Sequence, residues 1–130
     1  MASHGDDGYP YVVPLNYVYW NRCIYIHCAH EGHKIDAVRR NPKVSFCVVE
    51  QDEVLPDTFE TAYRSVIAFG NAFIVEDLEE KRDSIKALGN KYSPNNEESL
   101  EEEIDRFFEH TTMLRIEIDH LTGKQAKCLV

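Results

Sequence analysis

The chain has 130 residues, 43% hydrophobic and 11% aromatic, enough for one domain around a single packed core and too apolar for a disordered chain. Its formal net charge of −9 argues against nucleic-acid phosphates or an anionic membrane surface as main partner, since both need a basic face. No apolar run approaches the roughly 18 residues needed to span a bilayer, and no secretory signal pattern opens the chain.

In chain order, Met1 to Gly5 is short and polar, and Asp6-Asp7-Gly8 is a turn signal. Tyr9 to Trp20 is rich in Tyr and Val and is expected as one strand. Pro10 and Pro14 each remove a ladder donor, so it belongs at an edge or is bulged there. Asn21-Arg22 reverses the chain into a strand from Cys23 to Cys28, with Ile24, Ile26 and Cys28 on one face and Cys23, Tyr25 and His27 on the other. Gly32 to Asn41 reads as a short helix with Ile35 and Val38 on its buried face, stopped by Pro42.

Lys43 to Glu50 is apolar enough for a central strand, and Gln51 to Thr61 is expected as an acidic loop containing Pro56. Tyr63 to Val75 is a β-type run bent at Gly70. Asp77 starts a helix that runs to about Tyr92 and is broken by Pro94-Asn95-Asn96. A second helix begins at Glu97 or Ser99, with Leu100, Ile104, Phe107 and Phe108 as its apolar stripe and a solvated acidic face over 97–105. Thr112 to Asp119 is a strand, and Leu121 to Lys124 turns the chain into a short final segment. Five or six strands joined by short turns, with three inserted helices, predict a mainly β, antiparallel barrel with peripheral helices in a single domain, 1–130.

The chemistry-bearing residues cluster at 27–34. Gly32 after a strand lets the backbone approach a ligand, the helix start behind it offers free N–H groups to an anion, and His33 and Lys34 can add donors. The same residues also suit a plain glycine-started helix with an exposed lysine. His27 could be a structural strand histidine or, beside an anion site, a proton donor near neutral pH. His27, Cys28, His30 and His33 tempt a metal reading, but His27 and Cys28 point to opposite strand faces and cannot easily share an ion. Pro14, between Val13 and Leu15-Asn16, frees backbone groups that could read the edge of a planar heterocycle, or merely marks an edge strand. Cys23, Cys28, Cys47 and Cys128 lack a CxxC pair, which fits reduced thiols in a cytoplasmic protein rather than a disulfide frame or zinc site.

Together these stretches resemble the FMN-binding split-barrel superfamily, and more narrowly the pyridoxamine 5'-phosphate oxidase-like group and the nitroimidazole-resistance (Nim) proteins. The matching pieces are Asp7 to Tyr11 leading into Val13 to Tyr17, Ile24 to Ala29 into Gly32-His33-Lys34, Asn41 to Phe46, Tyr63 to Val66 with Gly70, and Leu114 to Asp119 with Thr122-Gly123-Lys124. They fall in the expected order and cover nearly the whole chain. The resemblance implies an antiparallel Greek-key split barrel and a homodimer with two FMN sites at the subunit interface.

It also implies roles. Val13, Pro14, Leu15 and Asn16 would lie along the isoalloxazine ring, while His27, Cys28 and Ala29 with Gly32, His33 and Lys34 would hold the ribityl phosphate. The Tyr63-to-Val66 strand, including Ser65, would face the flavin of the other subunit, and His27 matches the active-site histidine of Nim proteins. The implied chemistry passes electrons from reduced FMN to a small nitroaromatic or related acceptor. The alternative is a flavin- or small-ligand-binding protein without efficient turnover, since fold does not dictate reaction. Members of this superfamily usually carry an N-terminal helix and a first barrel strand before the Asp-Gly turn. Here that helix and most of that strand are expected to be missing, with Met1-Ala2-Ser3 as its last residues.

Overall fold

The computed structural model describes all 130 residues. The elements are β1 (Ala2–His4), β2 (Pro10–Val12), β3 (Val18–Trp20), β4 (Cys23–Cys28), α1 (His33–Arg40), β5 (Lys43–Leu55), β6 (Glu60–Ile74), α2 (Leu78–Tyr92), α3 (Glu97–Phe107) and β7 (Thr112–Gln125). The seven strands form one sheet in the order β2-β1-β5-β6-β7-β4-β3, and every neighbouring pair is antiparallel.

The edge strands β2 and β3 are consecutive in the chain, joined by residues 13–17. Flat, six strand spacings would hold them about 29 Å apart, whereas so short a connection reaches only about 20 Å. The sheet must therefore curl until its two edges approach, and residues 13–17 cross the remaining gap. This is the split barrel that the resemblance implied.

Its interior is filled from β4, β5, β6, β7 and α1: Ile24, Ile26, Ile35, Val38, Val44, Phe46, Ala68, Ala72, Leu114 and Ile116, together with Met1. A second core lies outside the barrel wall, where Val18, Tyr25, Val75 and Met113 meet Leu88 of α2. Strand β4 thus buries residues on both faces, which is why its Cys23-to-Tyr25 face is less polar than a half-solvated strand would show.

Several expectations need correcting. Tyr9–Trp20 is not one strand: it is β2 and β3 at opposite edges of the sheet, divided where Pro14 removes a donor. The Gln51–Thr61 loop is instead the end of a long hairpin. β5 and β6 stay paired as far as Leu55↔Glu60, and only residues 56–59 turn. Its acidic residues suit a two-stranded arm wet on both faces, so composition misled. Leu121 to Lys124 likewise continue β7 opposite Ala68 to Ser65. The strand count is therefore seven.

The Gly70 bend is present. Phe69 pairs with His120 and Gly70 with Ile118, leaving Asp119 as the extra, bulged residue. A Cβ on Gly70 would overlap the Glu117 carbonyl, so no side chain fits there. Asn21 and Arg22 both take positive φ, at 49° and 64°, the turn that joins β3 to β4 without splaying them. Asp77 caps α2 by accepting from the Glu80 N–H at 2.7 Å. Arg82 and Lys86 of α2 pair with Glu101 of α3 at 2.6 and 2.9 Å, so the acidic face of α3 is used to hold the two helices together. No helix is long and apolar enough to cross a membrane.

Candidate functional site

The connection over 13–17 is held at its two ends and free in its middle. Val13 exchanges two backbone hydrogen bonds with Met1, at 2.8 and 3.0 Å. At the other end the Tyr17 N–H donates to Tyr92 Oη at 3.1 Å, and the Tyr17 carbonyl accepts from Lys91 Nζ at 2.7 Å. The Lys91 ammonium also sits 3.4 Å from the Tyr17 ring centroid. Between these clamps, the N–H and C=O groups of Leu15 and Asn16 make no hydrogen bond within the chain. Leu15 packs into the barrel core, while Pro14 and Asn16 face outward.

His27 ends the outward face of β4 and is exposed, and its ring makes no hydrogen bond. Pro14, Leu15, Asn16 and His27 together line a hollow of about 410 Å³. Residues with unpaired backbone groups, the Asn16 amide side chain and an imidazole thus border one space. Such a set can grip the polar edge of a flat ring and exchange a proton with something beside it.

Cys28 points the other way. Its thiol donates to the Thr112 carbonyl at 3.7 Å, and burial pushes its pKa up, opposed by the nearby Lys34 charge. His30 is a structural residue. Its Nε2 donates to the Glu109 carbonyl at 2.6 Å, so in the neutral ring Nδ1 accepts from the Thr112 hydroxyl, 2.5 Å away. Both nitrogens are taken, and the ring pins the β4–α1 turn to the start of β7.

Gly32 precedes α1 with φ 137°, a conformation that strains any L side chain, and open space surrounds the position of its missing Cβ. No side chain caps this helix, and the N–H groups of His33, Lys34 and Ile35 have no partner within the chain. Lys34 is half-buried and joins none of the ion pairs of the molecule. Three free donors and a helix dipole can attract an anion here, and the Lys34 ammonium, in no ion pair, can add charge. His33 contributes less than its position promised. Its Nδ1 lies 3.6 Å from Asp6 and its ring packs on Tyr11, while Arg40 holds Asp6 at 3.0 Å.

Ser65 does not join this group. It lies on β6, in a separate apolar depression lined by Tyr17, Tyr19, Phe46, Val66 and Leu121. Both helices were expected from the sequence, but not their part in the site: Leu88 and Tyr92 of α2, with Leu100 and Phe107 of α3, border a second hollow that also reaches Asn16 and His27. The apolar stripe of α3 was visible, but only Ile104 of that stripe is fully buried. Nothing local in the sequence says that Tyr92 will meet Tyr17.

The chain matches the pyridoxamine 5'-phosphate oxidase family over residues 2–125, and it belongs to that family. No curated protein matches it by sequence. Among solved structures, a proposed 5-nitroimidazole antibiotic resistance protein from Bacteroides thetaiotaomicron is 24% identical, with TM-score 0.73 over 94% of this chain and 72% of that one. A conserved hypothetical protein from Mycobacterium tuberculosis is 23% identical, with TM-score 0.82 over 98% and 76%. An FAD-binding protein from Mesorhizobium loti is 26% identical, with TM-score 0.63 over 97% and 84%.

Proposed function

We propose that this member of the pyridoxamine 5'-phosphate oxidase family binds FMN and works as an oxidoreductase of the nitroimidazole-reductase type. Electrons would pass from reduced FMN to a small nitroaromatic or related acceptor. The observation that carries this reading is the pairing of two unsatisfied sets of groups. One is the open α1 N-terminus with Lys34, and the other is the Pro14-to-Asn16 connection facing His27. A flavin mononucleotide has the matching parts, a dianionic phosphate and a flat ring with a polar edge. The FAD-binding relative adds support for a flavin.

On this reading Lys34 and the N–H groups of His33, Lys34 and Ile35 bind the phosphate. Cys28 and Ala29 supply the strand end beside it. Val13 to Asn16 orient the ring and exclude water from one edge. His27 holds a proton at its ring nitrogen and delivers it to the acceptor as charge builds there. The flavin, when bound, supplies the electrons.

The depression around Ser65 is apolar and open, and Tyr19, Val66 and Leu121 are markedly exposed in it. We assign this face to a homodimer contact that lays Ser65 against the flavin of the second subunit. The four cysteines are free thiols, which suits a cytoplasmic protein.

Two measurements test the reading. The purified protein should release FMN and gain melting temperature on FMN addition; a colourless protein that gains none rejects it. With bound flavin reduced anaerobically, a nitroimidazole should reoxidise it faster than buffer alone does. Equal rates would leave a flavin-binding protein without turnover.

A further inference from the structure

The hollow between the barrel and the α2–α3 hairpin has a volume of about 290 Å³. Leu88, Tyr92, Phe107 and Phe108 line it from the helices, and Asn16 and His27 from the barrel. Phe107 is 49% exposed and Tyr92 47%, although both line this hollow. These rings border a space that the chain itself leaves unfilled. The polar end of that space is the same Asn16 and His27 that line the hollow beside Pro14 and Leu15. The two hollows therefore meet at His27.

We propose that this groove is the acceptor site, taking a small, flat, uncharged aromatic molecule of one ring with its polar substituent turned toward His27 and Asn16. This rests on the flavin-dependent reading given above, with the cofactor on one side of His27 and the acceptor on the other. Size sets the class: the groove lies at or below the ~300 Å³ lower end of ordinary ligand pockets, so it suits one ring rather than a fused system. Aromatic walls favour an aromatic guest. Charge narrows it further. The only carboxylate on the lining, Glu103, and the formal net charge of −9 both disfavour an anionic guest.

The test titrates 2-methyl-5-nitroimidazole into the ¹⁵N-labelled protein, with and without added FMN, and uses 4-nitrobenzoate as an anionic control. Saturable shifts at His27, Leu88 and Phe107 are expected, with no comparable response to 4-nitrobenzoate. Phe107→Glu should weaken nitroimidazole binding at least tenfold and leave FMN affinity within twofold. Shifts confined to other regions, or undiminished affinity in Phe107→Glu, would overturn the assignment. Phe107 is half exposed, so the variant should fold, and if it melts early the wild-type shift map decides alone. A protein that takes the nitroimidazole in this groove but no FMN would keep the groove and reject the flavin. One that takes FMN but not the nitroimidazole would do the reverse.

Discussion

Two regions along strand β4 treat their polar groups in opposite ways. In the middle of the strand, the Tyr25 hydroxyl donates to Glu80 at 2.7 Å, and Arg115 from β7 grips both oxygens of the same carboxylate at 2.8 and 3.0 Å. Every member of that network finds its partner inside the chain, and α2 is tied to the barrel wall by it. At the end of the strand, His27, the Leu15 and Asn16 amides, the first N–H groups of α1 and Lys34 find none. These groups lie at the surface, several of them exposed, and are free to meet a ligand in place of water. One cluster is satisfied completely and the neighbouring one is left open, so one strand carries an anchor and a candidate site.

Variants should separate the two. The largest effect is expected from His27→Ala, which should slow acceptor reduction about 10²–10⁴-fold while leaving flavin retention and melting temperature nearly unchanged. Stopped-flow reoxidation of the reduced protein measures it, and a loss of flavin instead would mean that His27 is a cofactor clamp. Glu80→Ala should do the opposite. It strands Tyr25 and Arg115 together and should cost about 2–3 kcal/mol in urea unfolding, with FMN affinity held per folded molecule. Gly32→Ala should cost about 1 kcal/mol, because φ 137° is strained for alanine. If it costs nothing, the turn before α1 is softer than its geometry implies.

The smallest effect concerns pH. Burial, and then the hydrogen bond to Glu80, hold the Tyr25 hydroxyl well above the ordinary tyrosine range. The folded state thus binds this proton more tightly than the unfolded one. Its contribution is complete below about pH 10 and is lost as pH rises above that. Stability should therefore decline above about pH 10, and Tyr25→Phe, at a cost of about 1 kcal/mol at neutral pH, should flatten that decline. An unchanged alkaline slope would place its origin elsewhere.

The anchor and the site differ in legibility too. The candidate site was proposed from the sequence because its signals are local. Gly32 before a helix, Pro14 between Val13 and Leu15, and an alternating strand ending on His27 each declare themselves within a few residues. The strand Cys23–Cys28 came out with the predicted limits for the same reason. The anchor was not readable, since Tyr25, Glu80 and Arg115 are 55 and 35 residues apart and meet only when α2 lies on the sheet. The long β5–β6 arm was missed because its acidic residues mimic a loop, and pairing across a sheet leaves no local mark. The involvement of Asp6 with His33 and Arg40 was hidden likewise: it weakens His33 as an anion donor through a contact 27 residues away.

The central claim is that the open donors at the start of α1 hold a flavin phosphate, with Lys34 supplying the charge. Fluorescence titration of FMN and of riboflavin, which lacks the phosphate, tests it most directly when run on the wild type and on Lys34→Ala. The wild type should prefer FMN. Lys34→Ala should lose about 1–3 kcal/mol of FMN affinity, roughly 5–150-fold, and leave riboflavin affinity unchanged. Equal losses for both ligands, or an unchanged preference for FMN, would contradict the assignment.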